Sequence, residues 1–140
     1  MFHSLDLSSL NYLAIVVSGL AYFVLGALWY SKLLFATSWM GELGINPDNT
    51  DKSGLGMKML LTFVAEVCMA FCIAVLIYII GINSCAAAVK LGLLLGVGFS
   101  VGSMFINYQY ESRSTKLLLI NGGYHVAGIV LAATILCNWR

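Results

Sequence analysis

Charged residues in this chain are grouped so that they leave four long apolar stretches. None lies between Asp6 and Lys32, and Glu66 is the only one between Lys58 and Lys90. A helix needs about 20 mostly apolar residues to cross the roughly 30 Å hydrocarbon core of a bilayer. The pattern therefore predicts one domain, residues 1–140, containing four transmembrane helices near 9–31, 58–81, 88–110 and 116–138.

The composition supports this fold class, an all-α integral membrane bundle. Hydrophobic residues make up 61% of the chain and charged residues only 9%, whereas soluble domains carry roughly a quarter charged residues. A soluble protein of this composition could not cover its surface with polar groups, so the expected partner is the lipid bilayer. A formal net charge of +1 excludes the basic surface that nucleic-acid binding requires.

The connection after the first predicted helix contains an amphipathic segment, SKLLFATSWMGELG, at residues 31–44. Its apolar side chains and few charges are typical of a short helix that lies in the membrane interface. Aromatic residues collect at the same depth, where they contact both headgroups and acyl chains. We therefore predict an interfacial helix after the first span and interfacial anchors at Trp29, Tyr30 and Trp39.

The basic residues favour one orientation. Five of them lie in or beside the first and third connections: Lys32, Lys52, Lys58, Arg113 and Lys116. The opposite side of the membrane holds Lys90 and Arg140. Because cytoplasmic loops carry the excess of Lys and Arg, this distribution predicts cytoplasmic first and third connections, with both termini on the far side.

Four polar side chains are predicted to share one layer inside the membrane. Glu66 lies eight residues after Lys58 and His125 nine after Lys116, so both are roughly 12–14 Å from the same surface. Tyr22 and Ser103 fall at a similar depth in the other two helices. Ionisable groups in hydrocarbon are costly and by default suggest function, so these four form a candidate polar cluster, with Asn107 and Asn121 as secondary members.

Small residues follow one face of the third predicted helix. Gly92 and Gly96 form one GxxxG pair, and Gly98 and Gly102 form a second. Such pairs allow close helix contact, because no side chain separates the backbones. They predict packing positions, either within the chain or in a homo-oligomer. Interhelical hydrogen bonding alone is the simpler hypothesis for Ser103 and Asn107.

No motif for a metal, a cofactor or catalysis is visible. The four cysteines show neither CxxC nor Cys/His zinc spacing. HExxH, a nucleophile elbow and a phosphate-binding loop are also missing from the sequence. We therefore expect no metal site and no cofactor. A non-enzymatic role is favoured over a membrane enzyme that uses Glu66 or His125 on lipid.

Two segments carry a family resemblance. The first is GALWYSKLLFATSW at Gly26–Trp39, with Asn11 and Tyr12 ahead of it; the second combines Tyr110–Arg113 with Leu119–His125. Together they resemble a bacterial family of small membrane proteins catalogued as domain of unknown function 1761. The resemblance implies four transmembrane helices and a bacterial inner-membrane location. It implies no activity.

Two functional hypotheses follow from the sequence. The first is a structural or partner-binding membrane subunit, which associates with copies of itself or with a larger membrane partner. The alternative is a small proton- or cation-coupled transporter or channel, acting as an oligomer through a cluster at Glu66 and His125. A water-accessible cavity that reaches Glu66 would favour the alternative.

Overall fold

Five α-helices and two short 3-10 turns make up the fold. The computed structural model describes residue 4 and residues 6–139, and no strand occurs among them. The helices are α1 Tyr12–Trp29, α2 Ala36–Leu43, α3 Leu55–Ile80, α4 Cys85–Tyr110 and α5 Thr115–Asn138. All but α2 are long and apolar enough to cross a membrane, which confirms the predicted fold class.

The ends of the long helices are fixed by short polar side chains and by glycine. Asn11, Ser84 and Ser114 precede α1, α4 and α5, and each side chain accepts a hydrogen bond from a backbone N–H in the first turn. Helix α3 ends at Gly81, whose φ of 73° belongs to the left-handed region that glycine adopts without strain. The charged or polar connections thus coincide with helix boundaries.

Helix α5 is the centre of the bundle. It packs against α1, α3 and α4, while α1 also packs against α3. Its buried face includes Tyr124, Ile129, Ala132 and Ala133, and the small residues allow neighbouring helices to approach closely. Helix α4 packs mainly on α5, whereas α1 and α3 pack on α5 and on each other, so the most internal position belongs to α5.

The short helix α2 is attached to the start of α5. Ser114 donates its hydroxyl hydrogen to the Glu42 carboxylate, and the Lys116 ammonium lies 3.8 Å from the other Glu42 oxygen. These contacts hold the first and third connections together at one end of the bundle, which we call the loop end. At the other end, the terminal end, the Asn11 amide donates to the Trp139 carbonyl oxygen over 3.5 Å.

Helix α4 contains an eight-residue π-helical segment, Leu94–Val101. Its i→i+5 hydrogen bonds put more residues into each turn than an α-helix has. Residues after the segment are therefore rotated relative to a regular 3.6-residue repeat. Gly96 is buried at the start of this segment, whereas Ser103 and Asn107 beyond it are exposed.

The four glycines of α4 fall into two groups. A Cβ atom built on Gly92 would lie 3.0 Å from the Val130 Cα, and one built on Gly96 would lie 2.9 Å from the Val126 Cα. These two glycines therefore lie where α4 and α5 come closest. A Cβ on Gly98 would meet no atom within 4 Å, and one on Gly102 would meet only an atom of its own helix. Neither glycine therefore lies at the contact between α4 and α5.

This difference gives a matched pair of substitutions. Gly96→Leu should force α4 away from Val126 and lower the free energy of unfolding by about 1–3 kcal/mol, the usual cost of overpacking. Gly98→Leu should leave stability nearly unchanged, because its side chain enters open space. Thermal melting in detergent measures both. Equal melting temperatures for the two variants would show that Gly96 is not a close-contact position.

Candidate functional site

Tyr124 is the centre of a polar cluster inside the bundle. Helix α5 places it facing α1 and α3, and only 6% of the residue is exposed. Its ring centroid lies 5.3 Å from that of Tyr22 and 5.3 Å from that of Tyr30, both in edge-to-face contact. Its hydroxyl group donates a hydrogen bond to Oε1 of Glu66, which joins α5 to α3.

Glu66 is buried but only half satisfied. The residue is 3% exposed, and its Oε1 accepts from Tyr124. Its Oε2 is buried without a hydrogen-bond partner anywhere in residue 4 or residues 6–139. Buried polar atoms are almost always hydrogen-bonded, so this carboxyl oxygen is available to bind a ligand, water or ion.

A second pair, Tyr22 and His125, connects α1 to α5. The Tyr22 hydroxyl oxygen lies 2.6 Å from His125 Nδ1. The phenol donates when Nδ1 carries no proton and accepts when it does. Tyr22 is fully buried, and the two rings of Tyr124 and His125 lie 4.8 Å apart. The pair Tyr22 and His125 is thus in direct ring contact with the pair Glu66 and Tyr124.

A third set of hydrogen bonds closes the cluster toward the loop end. Tyr30 donates to Asn121 Oδ1 over 2.7 Å, and Asn121 Nδ2 donates to the Tyr108 hydroxyl oxygen over 2.8 Å. Trp29 Nε1 donates to the Ile120 carbonyl oxygen over 2.9 Å. These bonds tie α1 and α4 to the central helix α5.

The structure therefore brings together some of the predicted site residues but not all of them. Tyr22, Glu66 and His125 meet around Tyr124, and Asn121 lies next to them. Ser103, predicted to belong to the cluster, is exposed on α4 and lies outside it. Asn107, predicted as a secondary polar residue, is exposed as well. The reason is the π segment, which breaks the regular repeat on which the predicted stripe of α4 depended.

The three predicted anchors have contacts inside the protein. Trp29 and Tyr30 direct their polar atoms to Ile120 and Asn121, so these atoms are satisfied without lipid headgroups. The ring of Trp39 lies 5.5 Å from that of Tyr30, in edge-to-face contact. The structure thus uses these aromatic residues to join α1, α2 and α5.

Sequence reasoning missed Tyr124 and Tyr108. Tyr124 follows Asn121 by three residues and precedes His125 directly, so it lies on the face of α5 that carries the other polar residues. That spacing was a usable signal. Tyr108 had none, because its position depends on the rotation that the π segment introduces into α4.

A cavity of about 570 Å³ connects the cluster with the loop end. Glu66, Asn121, Tyr124 and His125 contribute to its wall, as does Lys58, which is exposed in the first turn of α3. The cavity wall therefore extends from Lys58 at the loop end to Glu66, of which 3% is exposed. Since Glu66 Oε2 has no protein partner, the cavity is the direction from which a ligand would arrive.

A second cavity, of about 560 Å³, opens at the terminal end. Its wall includes Asn11, Ala74, Leu136 and Trp139. Ser18 lies one helical turn before Tyr22 on α1 and is fully buried, and its Oγ has no partner within the described chain. Ser18 and Tyr22 line neither cavity and lie between the two, which are at opposite ends of the bundle.

Within residue 4 and residues 6–139, no three His, Cys, Asp or Glu side chains come close enough to hold a metal ion. The chemistry available at Glu66 is instead that of hydrogen bonding and proton exchange, with His125 and two tyrosine hydroxyl groups nearby.

The fold and the cluster together define a class: a four-helix bundle of membrane-spanning length, built on one central helix that carries a buried polar centre. The chain belongs to the family described as protein of unknown function (DUF1761), whose model matches residues 13–137. The resemblance predicted from Gly26–Trp39 and the polar motifs is thereby confirmed. No curated protein and no solved structure matches the chain.

Proposed function

We propose that this protein is a small membrane transporter in which Glu66 binds the transported proton or monovalent cation. One observation carries the proposal. Glu66 is 3% exposed and its Oε2 has no partner in the described chain, yet the residue lies in the wall of a cavity that opens at the loop end. A proton or a cation would neutralise the charge of this buried carboxyl group.

The cavity changes the ranking of the two hypotheses. Sequence alone favoured a structural or partner-binding subunit, in which a buried carboxyl group serves only to join helices. Such a role is best served by a sealed cluster with every polar atom paired, because each unpaired buried atom costs about 1–3 kcal/mol. The unpaired Oε2, on a residue that contributes to the wall of a cavity, favours a binding role instead.

A transported species must cross the middle of the bundle, between the two cavities. On α1, Asn11 contributes to the terminal-end cavity and Gly26 to the loop-end cavity. Fifteen residues separate them, about 22 Å along a helix axis. Ser18 and Tyr22 lie in this interval. The Tyr22 hydroxyl group is hydrogen-bonded to His125 Nδ1, and the Ser18 hydroxyl group has no partner within the described chain. The remaining neighbours include Ala14 and Ile15, which exclude water in this conformation.

The cellular setting completes the proposal. We place the protein in the bacterial inner membrane, with the loop end in the cytoplasm as the basic residues favour. Four helices enclose little space, so a homo-oligomer or a larger membrane partner fits this function. The open surface around Gly98 suits such a contact, because a glycine there allows a close approach.

Flux through proteoliposomes tests the function. Purified protein is reconstituted with a pH-sensitive dye inside, and valinomycin with a potassium gradient imposes a membrane potential. We expect faster internal acidification than in protein-free vesicles, because Glu66 accepts protons from the loop-end cavity. A second arm uses an inward Na⁺ gradient and a Na⁺-sensitive dye, which separates proton passage from cation passage.

Two matched variants make the result specific. Glu66→Gln should reduce the flux to that of protein-free vesicles while the protein still folds, since an amide can keep the hydrogen bond from Tyr124. Glu111→Gln makes the same chemical change at an exposed position and should retain the flux. The proposal fails if wild type matches protein-free vesicles in both arms, or if Glu66→Gln matches wild type.

A further inference from the structure

The loop-end cavity has an unusually aromatic wall around one acid. Phe23, Tyr30, Trp39 and Tyr124 all contribute to it, and Glu66 lies among them. Aromatic faces attract cations through the ring quadrupole, most strongly for Trp, and this attraction grows when water is excluded. A carboxylate among aromatic rings is the arrangement that recognises a large organic cation.

Shape and flexibility point the same way. The volume of about 570 Å³ lies within the roughly 300–1,000 Å³ range of drug-sized ligand pockets and far exceeds the needs of a bare proton. Met59 and Met104 contribute from α3 and α4. Methionine side chains adapt to ligands of different shape, so the wall suits a class of compounds rather than one rigid molecule.

We infer that this cavity binds hydrophobic organic cations, such as quaternary ammonium or phosphonium compounds, in exchange for the proton of Glu66. The inference rests on the proposed function, because it uses the same carboxyl group. It adds a substrate class that proton passage alone does not require.

The charges around the cavity are consistent with a cationic ligand. Among the described residues in its wall, Glu66 is the only carboxylic acid and Lys58 the only lysine or arginine. Lys58 is exposed at the rim and lies eight residues before Glu66, about 12 Å along α3. The other titratable groups near Glu66 come from α1 and α5, and they are Tyr22, Tyr30, Tyr124 and His125. Helix α4 contributes only Met104 to the wall.

The exchange balances in charge and atoms. With no cation bound, a proton on Glu66 neutralises the buried carboxyl group. When an organic cation enters, its positive charge takes over that role, and Glu66 releases one proton to the water at the loop end. No bond of the cation forms or breaks. One proton should therefore leave the protein for each cation bound.

Tetraphenylphosphonium is the probe, and tetraphenylborate is its matched control with the same shape and a negative charge. Saturable binding to the purified protein in detergent is measured by equilibrium dialysis, and proton release is followed in weakly buffered solution. We expect saturable binding of the phosphonium alone, with one proton released per cation. Glu66→Gln should weaken binding about tenfold or more and release no protons, whereas Glu111→Gln should behave as wild type.

Trp39→Ala provides a second variant outside the spanning helices. It should weaken phosphonium binding severalfold and keep the proton release, because the carboxyl group is unchanged. Equal binding of both probes, binding that is independent of Glu66, or binding without proton release would overturn the inference. If flux depends on Glu66 but the phosphonium does not bind, the inference about organic cations is wrong and the proposed transport function stands. Phosphonium binding with proton release but no flux would overturn the transport proposal instead.

Discussion

Replacing Gly128 with alanine is expected to destabilise the protein strongly, although it adds a single methyl group. The new Cβ would overlap the Tyr22 ring, with the ring atoms Cζ and Cδ1 only 2.5 and 2.6 Å away. Tyr22 is fully buried, and its hydroxyl group is held by His125 Nδ1 at 2.6 Å. The ring therefore cannot move aside without breaking that hydrogen bond.

The expected loss combines two effects. Overpacking of a dense core costs about 1–3 kcal/mol, and a broken hydrogen bond that leaves buried polar groups unpaired costs about 1–3 kcal/mol more. Thermal melting in detergent should thus show a large decrease for Gly128→Ala. The same substitution at Gly98, which has open space around it, should change the melting temperature little or raise it slightly through helix propensity.

A compensating substitution identifies the cause. Adding Tyr22→Leu to Gly128→Ala should cost less than the sum of the two single changes, since the smaller side chain makes room for the methyl group. Strict additivity, or equal melting temperatures for Gly128→Ala and Gly98→Ala, would show that the contact between Gly128 and Tyr22 does not limit stability.

Hydropathy was sufficient to predict the four long helices. In lipid, backbone groups must be paired within their own segment, so a long uncharged stretch has almost no alternative to a helix. Counting residues from Lys58 and Lys116 also predicted that Glu66 and His125 lie at the same level of the bundle, and both contact Tyr124, because a regular helix advances about 1.5 Å per residue. Position along a helix is thus a local property of the sequence.

The direction in which each side chain of a helix faces was less predictable. The stripe through Gly96, Ser103 and Asn107 assumed a regular α-helix, but the π segment Leu94–Val101 rotates the last two outward. No residue in this segment predicts an i→i+5 hydrogen bond, since its side chains are ordinary apolar and small ones. Which residues pair across helices also depends on packing, so the central position of Tyr124 could be seen only in three dimensions.

The aromatic residues at the loop end illustrate a related difficulty. Trp29 and Tyr30 have the composition and position of interfacial anchors, yet their N–H and O–H groups bind Ile120 and Asn121. Amphipathic rings suit both environments, because each has an apolar body and one polar atom. Sequence alone cannot distinguish a headgroup from a neighbouring helix as the partner of that atom.

The central claim is that Glu66 exchanges protons with water at the loop end. Infrared difference spectroscopy of the reconstituted protein measures this directly, because the carbonyl stretch of a protonated carboxyl group disappears when the proton leaves. Wild type minus Glu66→Gln isolates the Glu66 signal from those of exposed acids such as Glu111. We expect a carboxyl band that changes with pH in wild type and in Glu111→Gln, and is absent from Glu66→Gln. A Glu66 band that stays constant over the whole pH range in which the protein remains folded would contradict the account.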